Sequence, residues 1–327
     1  MKKNNQEQFK TMIGGQALIE GIMMLGPDKS AVVVRTKDGL KKKIEDRPKA
    51  SLGFSLKKLP FIRGLFNFWT SMKVGMTAMT YSADLAMEEE TEETKENSSK
   101  LDRWLDEKLS TGAFTTIAVI LGICLSVGLF VLLPSFIGSL IEKWIPNPFV
   151  HDLVEGVIRV VILVGYMALM SLMKDMKRVF AYHGAEHKSI RCYEARLPLT
   201  VENVRKQTRL HPRCGTSFLF VVVFLSILVF SLASILLAPI TPDFKSRALD
   251  ILVQMGMKLL LLPLVVGIAY EINRIVGRYD NWFTRLISAP GMWLQYITTR
   301  EPDDSMIEVG IAALSAVIPE EEGSDLW

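Results

Sequence analysis

Four long apolar runs, roughly residues 113–135, 153–173, 216–239 and 251–268, set the pattern of the chain. About 20 apolar residues in a helix cross the hydrocarbon core of a bilayer, so these runs predict four transmembrane helices. Pro134 falls near the exit of the first and Pro263 is expected to bend the fourth. Ahead of them the period is shorter. IGGQALIEGIMMLGP at 13–27, the run from Ala31 to Thr36, an Asp38-Gly39 turn and the Lys/Ile alternation of 40–46 predict a small antiparallel unit of strands. Leu59 to Met87 mixes aromatics and methionines with Arg63 and Lys73, the pattern of an amphipathic helix lying at the lipid boundary. Glu88 to Lys100 is acidic and rich in Ser and Asn, which marks a solvated linker, and Leu101 to Leu109 makes a short amphipathic turn.

The fold class expected is therefore mainly α: a polytopic α-helical membrane protein with about four transmembrane helices and a small β-containing N-terminal unit. Five regions follow: the β-containing cytosolic unit (1–50), an interfacial segment (51–87), the linker (88–100), a four-span region (101–270) with a loop at 174–215, and cytosolic or interfacial C-terminal helices (271–327). A hydrophobic content of 49% and a mean hydropathy of +0.26 agree with a membrane class.

Charge gives the orientation. The stretch Lys174–Gly215 carries ten Lys/Arg against four Asp/Glu, whereas 142–151 holds only Lys143 and 240–250 only Lys245 and Arg247. Positive residues mark the cytoplasmic side, so both termini and the central loop are expected in the cytosol of a cell whose cytoplasmic membrane the chain spans several times. His151 then falls on the opposite face, as an interfacial histidine. The N-terminal MKKNNQEQFKTM lacks the apolar core of a signal peptide, and no cleavage is expected there. A net charge of +3 without an aromatic-basic stripe gives no support to nucleic-acid binding, while the basic central loop would attract anionic lipids of the bilayer. Cys124, Cys192 and Cys214 are too few and scattered for a disulfide framework. Nothing in these patterns specifies the number of copies that assemble.

The chemistry concentrates in that loop. His183 and His187, four apart, would share one helix face, and Glu186 stands beside them; the spacing fits H-x-x-E-H, in which two imidazoles bind zinc and the carboxylate acts as general base. His211-Pro212-Arg213-Cys214 adds an imidazole and a thiol, so three of the four histidines and two of the three cysteines lie together. If His183, His187, His211 and Cys214 all bind a divalent metal, zinc by its donor set, the site is a closed structural clamp. If one stays free, a water position is open, and Glu186 or Glu20 can take its proton. The open version is favoured, because a carboxylate next to a ligand histidine has little use in a clamp. Glu20 lies in an apolar strand-like run flanked by Gly14, Gly15 and Gly21, where a buried carboxylate needs a partner. Gly21 and Gly26 have the spacing of a phosphate loop, but Pro27 follows where Lys is required, and that reading is rejected. Glu155, Arg159 and Lys258 are intramembrane charges, read as structural pairing ahead of a transport path.

Four blocks, GGQALIEG at 14–21, YHGAEHK at 182–188, HPRCGTSF at 211–218 and APGMWLQYITTREPDD at 289–304, together resemble the bacterial YqhQ-like family, multi-pass membrane proteins of unknown function described as predicted metal-dependent enzymes. The resemblance implies several spans and matches His183, Glu186, His187, His211 and Cys214 as site positions. It also places Arg300, Glu301, Asp303 and Asp304 in a family motif. The function expected is a zinc-type hydrolytic site on the cytosolic face, acting on a lipid head group or membrane-adjacent peptide. The alternative is a non-catalytic structural or carrier-like membrane protein whose metal staples the loops.

Overall fold

The computed structural model describes residues 9–47, 59–94, 111–145, 147–237, 247–321 and 323–326. The Leu101–Leu109 turn, residues 95–100 of the expected linker and residues 238–246 of the last inter-span connection lie outside them. The chain divides into two compact units, one of Met1–Glu89, Met167–Val221 and Gly267–Trp327, the other of Glu90–Tyr166 and Val222–Val266.

The first unit is built on a four-stranded antiparallel meander: β1 (Gly14–Leu18), β2 (Gly21–Leu25), β3 (Lys29–Thr36) and β4 (Gly39–Asp46), in that order. Its inner strands are apolar on both faces, because successive side chains point oppositely and both faces are covered. Ile22, Met24, Ala31 and Val33 pack on Ala181, Tyr182 and Ala185 of α5 (Lys174–Glu194) and on Val309, Ala313 and Leu314 of α10 (Asp304–Ser315). Leu18, Met23, Val32 and Val34 take the other side, against Ala78 and Leu85 of α1 (Ile62–Thr94). Each buried Val, Leu, Ile or Met among them contributes about 1.5–3 kcal/mol. The edge strand β4 carries Lys41, Lys42 and Lys43, which discourage further strand pairing. Short elements complete the unit: α6 (Val201–Arg205) and α9 (Trp282–Thr298), the latter opened by an Asn281 capping box.

Among the described residues four helices are long and apolar enough to cross a membrane: Thr116–Ile141, Phe149–Met170, Gly215–Leu237 and Leu252–Arg278. They belong to α2 (Thr111–Val127) with α3 (Leu133–Ile141), α4 (Pro148–Met170), α7 (Gly215–Leu237) and α8 (Arg247–Arg278). The expected mainly α polytopic fold with a small N-terminal sheet is thus the fold found. Pro134 lies inside the first span, not at its exit, and the reason is visible. A π-helical turn, Gly128–Leu132, precedes it and lets the helix run on. Proline offers no N–H to the turn behind it, and Arg159 Nε donates to the Phe130 carbonyl oxygen, four residues back, at 3.1 Å.

In the second unit the three intramembrane charges meet. Lys258 Nζ donates to both Glu155 carboxylate oxygens, at 2.7 and 2.8 Å, and Arg159 Nη2 donates to Glu155 Oε1 at 2.8 Å. Ser135 adds a hydroxyl donor at 2.8 Å, and Arg159 also reaches the Ser226 hydroxyl. Structural pairing is what these contacts show. His151 Nε2 lies 3.0 Å from the Gly138 carbonyl oxygen.

Candidate metal centre

Helix α5 is held between the sheet and α10, which buries nearly everything from Ala181 to Ile190. One close approach is decisive: at Gly184 a methyl group would overlap the Arg300 carbonyl oxygen, so only glycine lets the 299–302 segment lie against this helix. Arg300 N–H donates to the Phe180 carbonyl at 2.8 Å in the same contact. Helical spacing then puts His183 and His187 one above the other, ring centroids 4.4 Å apart. The segment after α6 returns to the same place and ends at Cys214, whose carbonyl accepts the first N–H bonds of α7.

The three side chains converge. Ligand-capable atoms of His183, His187 and Cys214 all lie within 4.8 Å of one another, and His183 Nε2 is 3.1 Å from Cys214 Sγ. Both imidazoles are oriented from behind by backbone: His183 Nδ1 lies 2.9 Å from the Thr298 carbonyl oxygen and His187 Nδ1 2.5 Å from that of Arg209. A carbonyl oxygen only accepts, so each Nδ1 carries a proton, and in the neutral ring it is Nε2 that presents the lone pair. His187 Nε2 is buried and, among the described residues, makes no hydrogen bond of ordinary geometry, although the Cys214 sulfur is close enough to interact with the ring. Burial holds His187 down to about 4, neutral at ordinary pH. Burial alone would push the Cys214 thiol up. His187 when it carries a proton, and the Thr216 amide and hydroxyl, both within 3.5 Å of the sulfur, oppose that and hold the thiol below its ordinary value.

Glu186 is 5% exposed, and burial pushes its carboxyl up to about 7, against the opposing pull of His183 and of the Gly15 N–H that donates to it. A Cβ at Gly15 would sit 3.0 Å from the Glu186 carboxyl carbon, so strand β1 approaches the acid as closely as it does only because glycine stands there. Glu186, His187, His211, Cys214 and Asn273 share the wall of a pocket of about 130 Å³.

His211 and Glu20 stand differently. The His211 ring is 5.5 Å from that of His187, but its Nε2 lies 3.5 Å from Glu194 Oε2, and it is not one of the three converging ligands. Gln295 clamps its backbone at 2.8 and 2.7 Å, while Glu194 also pairs with Arg213 and accepts the Thr11 N–H at 3.0 Å. Burial opposes ionisation of Glu194, yet His211 and Arg213 hold its carboxyl below the usual range. Glu20 occupies the β1–β2 turn with φ 52°, a conformation uncommon outside glycine. Its carboxylate takes two guanidinium bonds from Arg178 and the Tyr182 hydroxyl at 3.1 Å, which is the partner its setting required. Of the C-terminal motif, Glu301 pairs with the buried Lys188 at 2.6 Å, Asp303 caps α10 and Asp304 pairs with Arg205. The Thr298, Arg209 and Gln295 supports are what sequence reasoning missed, although two of them fall within the 289–304 block.

The fold and the site define a polytopic helical membrane protein with a largely buried His-His-Cys cluster and an adjoining acid. More narrowly, the chain belongs to a family described as a protein of unknown function, DUF1385, whose pattern matches residues 59–320. It is 32% identical over 311 residues to the uncharacterized protein YqhQ of Bacillus subtilis (strain 168), covering 93% of this chain and 92% of that protein. No solved structure matches it. The family match takes in the His-His-Cys cluster, Glu186 and His211 but begins after the sheet that carries Glu20.

Proposed function

We propose that His183, His187 and Cys214 hold a divalent, zinc-type ion in an open site, and that the protein is a metal-dependent hydrolase acting on a lipid head group or membrane-adjacent peptide at the cytosolic face. The observation that carries this is the pair of imidazoles, each with its Nδ1 proton committed to a carbonyl and its Nε2 turned toward the shared centre, beside a thiol held below its ordinary value. Zinc takes histidine and cysteine ligands and in catalytic sites keeps three protein ligands with a fourth position open, and the engagement of His211 with Glu194 favours three protein ligands over four. The ion would supply Lewis acidity toward a water or a substrate oxygen. Glu186 holds or releases a proton at its carboxylate near neutrality, on the wall of the same pocket. Arg209 and Thr298 fix the imidazoles. Glu20, committed to Arg178, is a positioning residue for α5 in this reading and replaces the proton-accepting role expected of it.

The measurement is metal content of purified protein by mass spectrometry. Wild type is expected to carry about one ion per chain, and the His183→Ala/His187→Ala variant almost none; an equally low value in both ends the proposal. Glu186→Gln should keep its metal and lose turnover by roughly 10²–10⁴-fold. The clamp alternative predicts the loss of metal in His211→Ala, where the open site predicts retention.

A further inference from the structure

A second, larger cavity adjoins the centre, about 450 Å³, bounded by the end of α5, residues 210–213, the end of α8 and one side of α9. Arg213 lines both this cleft and the smaller pocket. The cleft is basic: Lys10, Arg191, Arg213 and Arg285 face only Glu194 and Asp280. The two acids are already committed, Asp280 to Arg285 at 2.7 and 3.0 Å and Glu194 to Arg213. Arg191 spends its Nε on the Leu210 carbonyl at 2.6 Å and Lys10 reaches the Arg278 carbonyl, and among the described residues neither has a carboxylate within ion-pair distance. The cleft thus keeps two cationic charges over. Its mouth is aromatic. Trp293 and Tyr296 of α9 are 68% and 60% exposed, in line with Trp282 and Leu286 on one helix face, while the opposite face of α9 is buried through Ser288, Gly291 and Gln295. Tyr279 stands one residue past the end of the fourth span. Trp and Tyr at such a level, with an apolar stripe beside them, are what an acyl chain meets at a bilayer surface.

We propose that this cleft binds the phosphate of an anionic amphiphile, with the Arg191 guanidinium and the Lys10 ammonium as its cationic partners and the Trp293–Tyr296 face against the acyl chains. A guanidinium can meet phosphate through paired N–H donors, and the ammonium adds a point charge beside it. The inference names the substrate class of the proposed metal centre and rests on that reading for its chemistry, though not for binding.

The test uses full-length protein in neutral detergent, titrated by calorimetry with dihexanoylphosphatidic acid, dihexanoylphosphatidylcholine and inorganic phosphate, with metal content measured on the same preparations. Saturable binding of the phosphatidic acid is expected, with the other two at least tenfold weaker. Arg191→Gln, which leaves no paired acid stranded, should weaken it about tenfold, and Trp293→Ser, at an exposed position, severalfold. Absence of saturable binding, or equal affinity in Arg191→Gln, overturns the inference whatever the metal content. Inorganic phosphate binding as tightly as the lipid overturns the amphiphile. A metal-free wild type that still binds phosphatidic acid refutes the metal centre and leaves the cleft standing.

Discussion

Each unit of this protein buries a cluster of polar side chains, and the two clusters are completed in different ways. Around Glu155 every strong donor meets an acceptor: Lys258 spans both carboxylate oxygens, and the Arg159 guanidinium is divided among Glu155, Ser226 and the Phe130 carbonyl. Around His187 the backbone side is satisfied and the inner side is not, for its Nε2 is buried without a hydrogen bond among the described residues. Buried polar groups without partners cost about 1–3 kcal/mol each, so a cluster that keeps one is held by the rest of the fold. The first arrangement serves the fold; the second leaves chemical capacity in reserve.

Substitutions can separate the two. Glu155→Gln should have the largest effect, about 3–5 kcal/mol of lost stability by detergent-phase thermal unfolding, because it leaves Lys258 and Arg159 buried without their shared carboxylate. Adding Lys258→Met to the same chain should restore part of that loss, and a single variant costing under about 1 kcal/mol would remove the contrast between the clusters. Gly184→Ala comes next, at about 1–3 kcal/mol, since the Arg300 backbone must retreat from α5. With it the Thr298 carbonyl should lose its hold on His183, and metal affinity should drop by about 10–100-fold. The smallest change in stability belongs to Cys214→Ser in metal-free protein, within about 1 kcal/mol, because a hydroxyl can accept the same Thr216 bonds. Its metal content should nonetheless collapse. A large loss of stability in that variant without metal would show that the two clusters are of one kind.

What could be read from the sequence was whatever depends on near neighbours. Span length, the strand alternation and the i, i+4 pairing of His183 with His187 are local, and each is present in the fold. The pairing of Glu155 with Lys258 was anticipated because an unpaired charge in hydrocarbon is too costly to keep. What escaped depends on segments far apart in the chain. Nothing near His183 indicates that Thr298, 115 residues on, supplies its acceptor, and nothing near His211 reveals the pull of Glu194. Pro134 was placed at a helix exit because proline breaks the usual bond, but the Arg159 guanidinium that compensates lies 29 residues from Phe130. Glu20 was assigned to chemistry from its apolar surroundings alone, and Arg178, 158 residues away, meets its need.

That arrangement at Pro134 has a consequence for heredity. A chain that exchanges the proline for leucine regains an N–H that competes with Arg159 for the carbonyl oxygens of the preceding turn. A chain that loses the arginine first takes that donor from the Phe130 carbonyl beside a proline that supplies none. Neither position is free to drift alone, so across relatives of this protein residues 134 and 159 should be replaced as a pair.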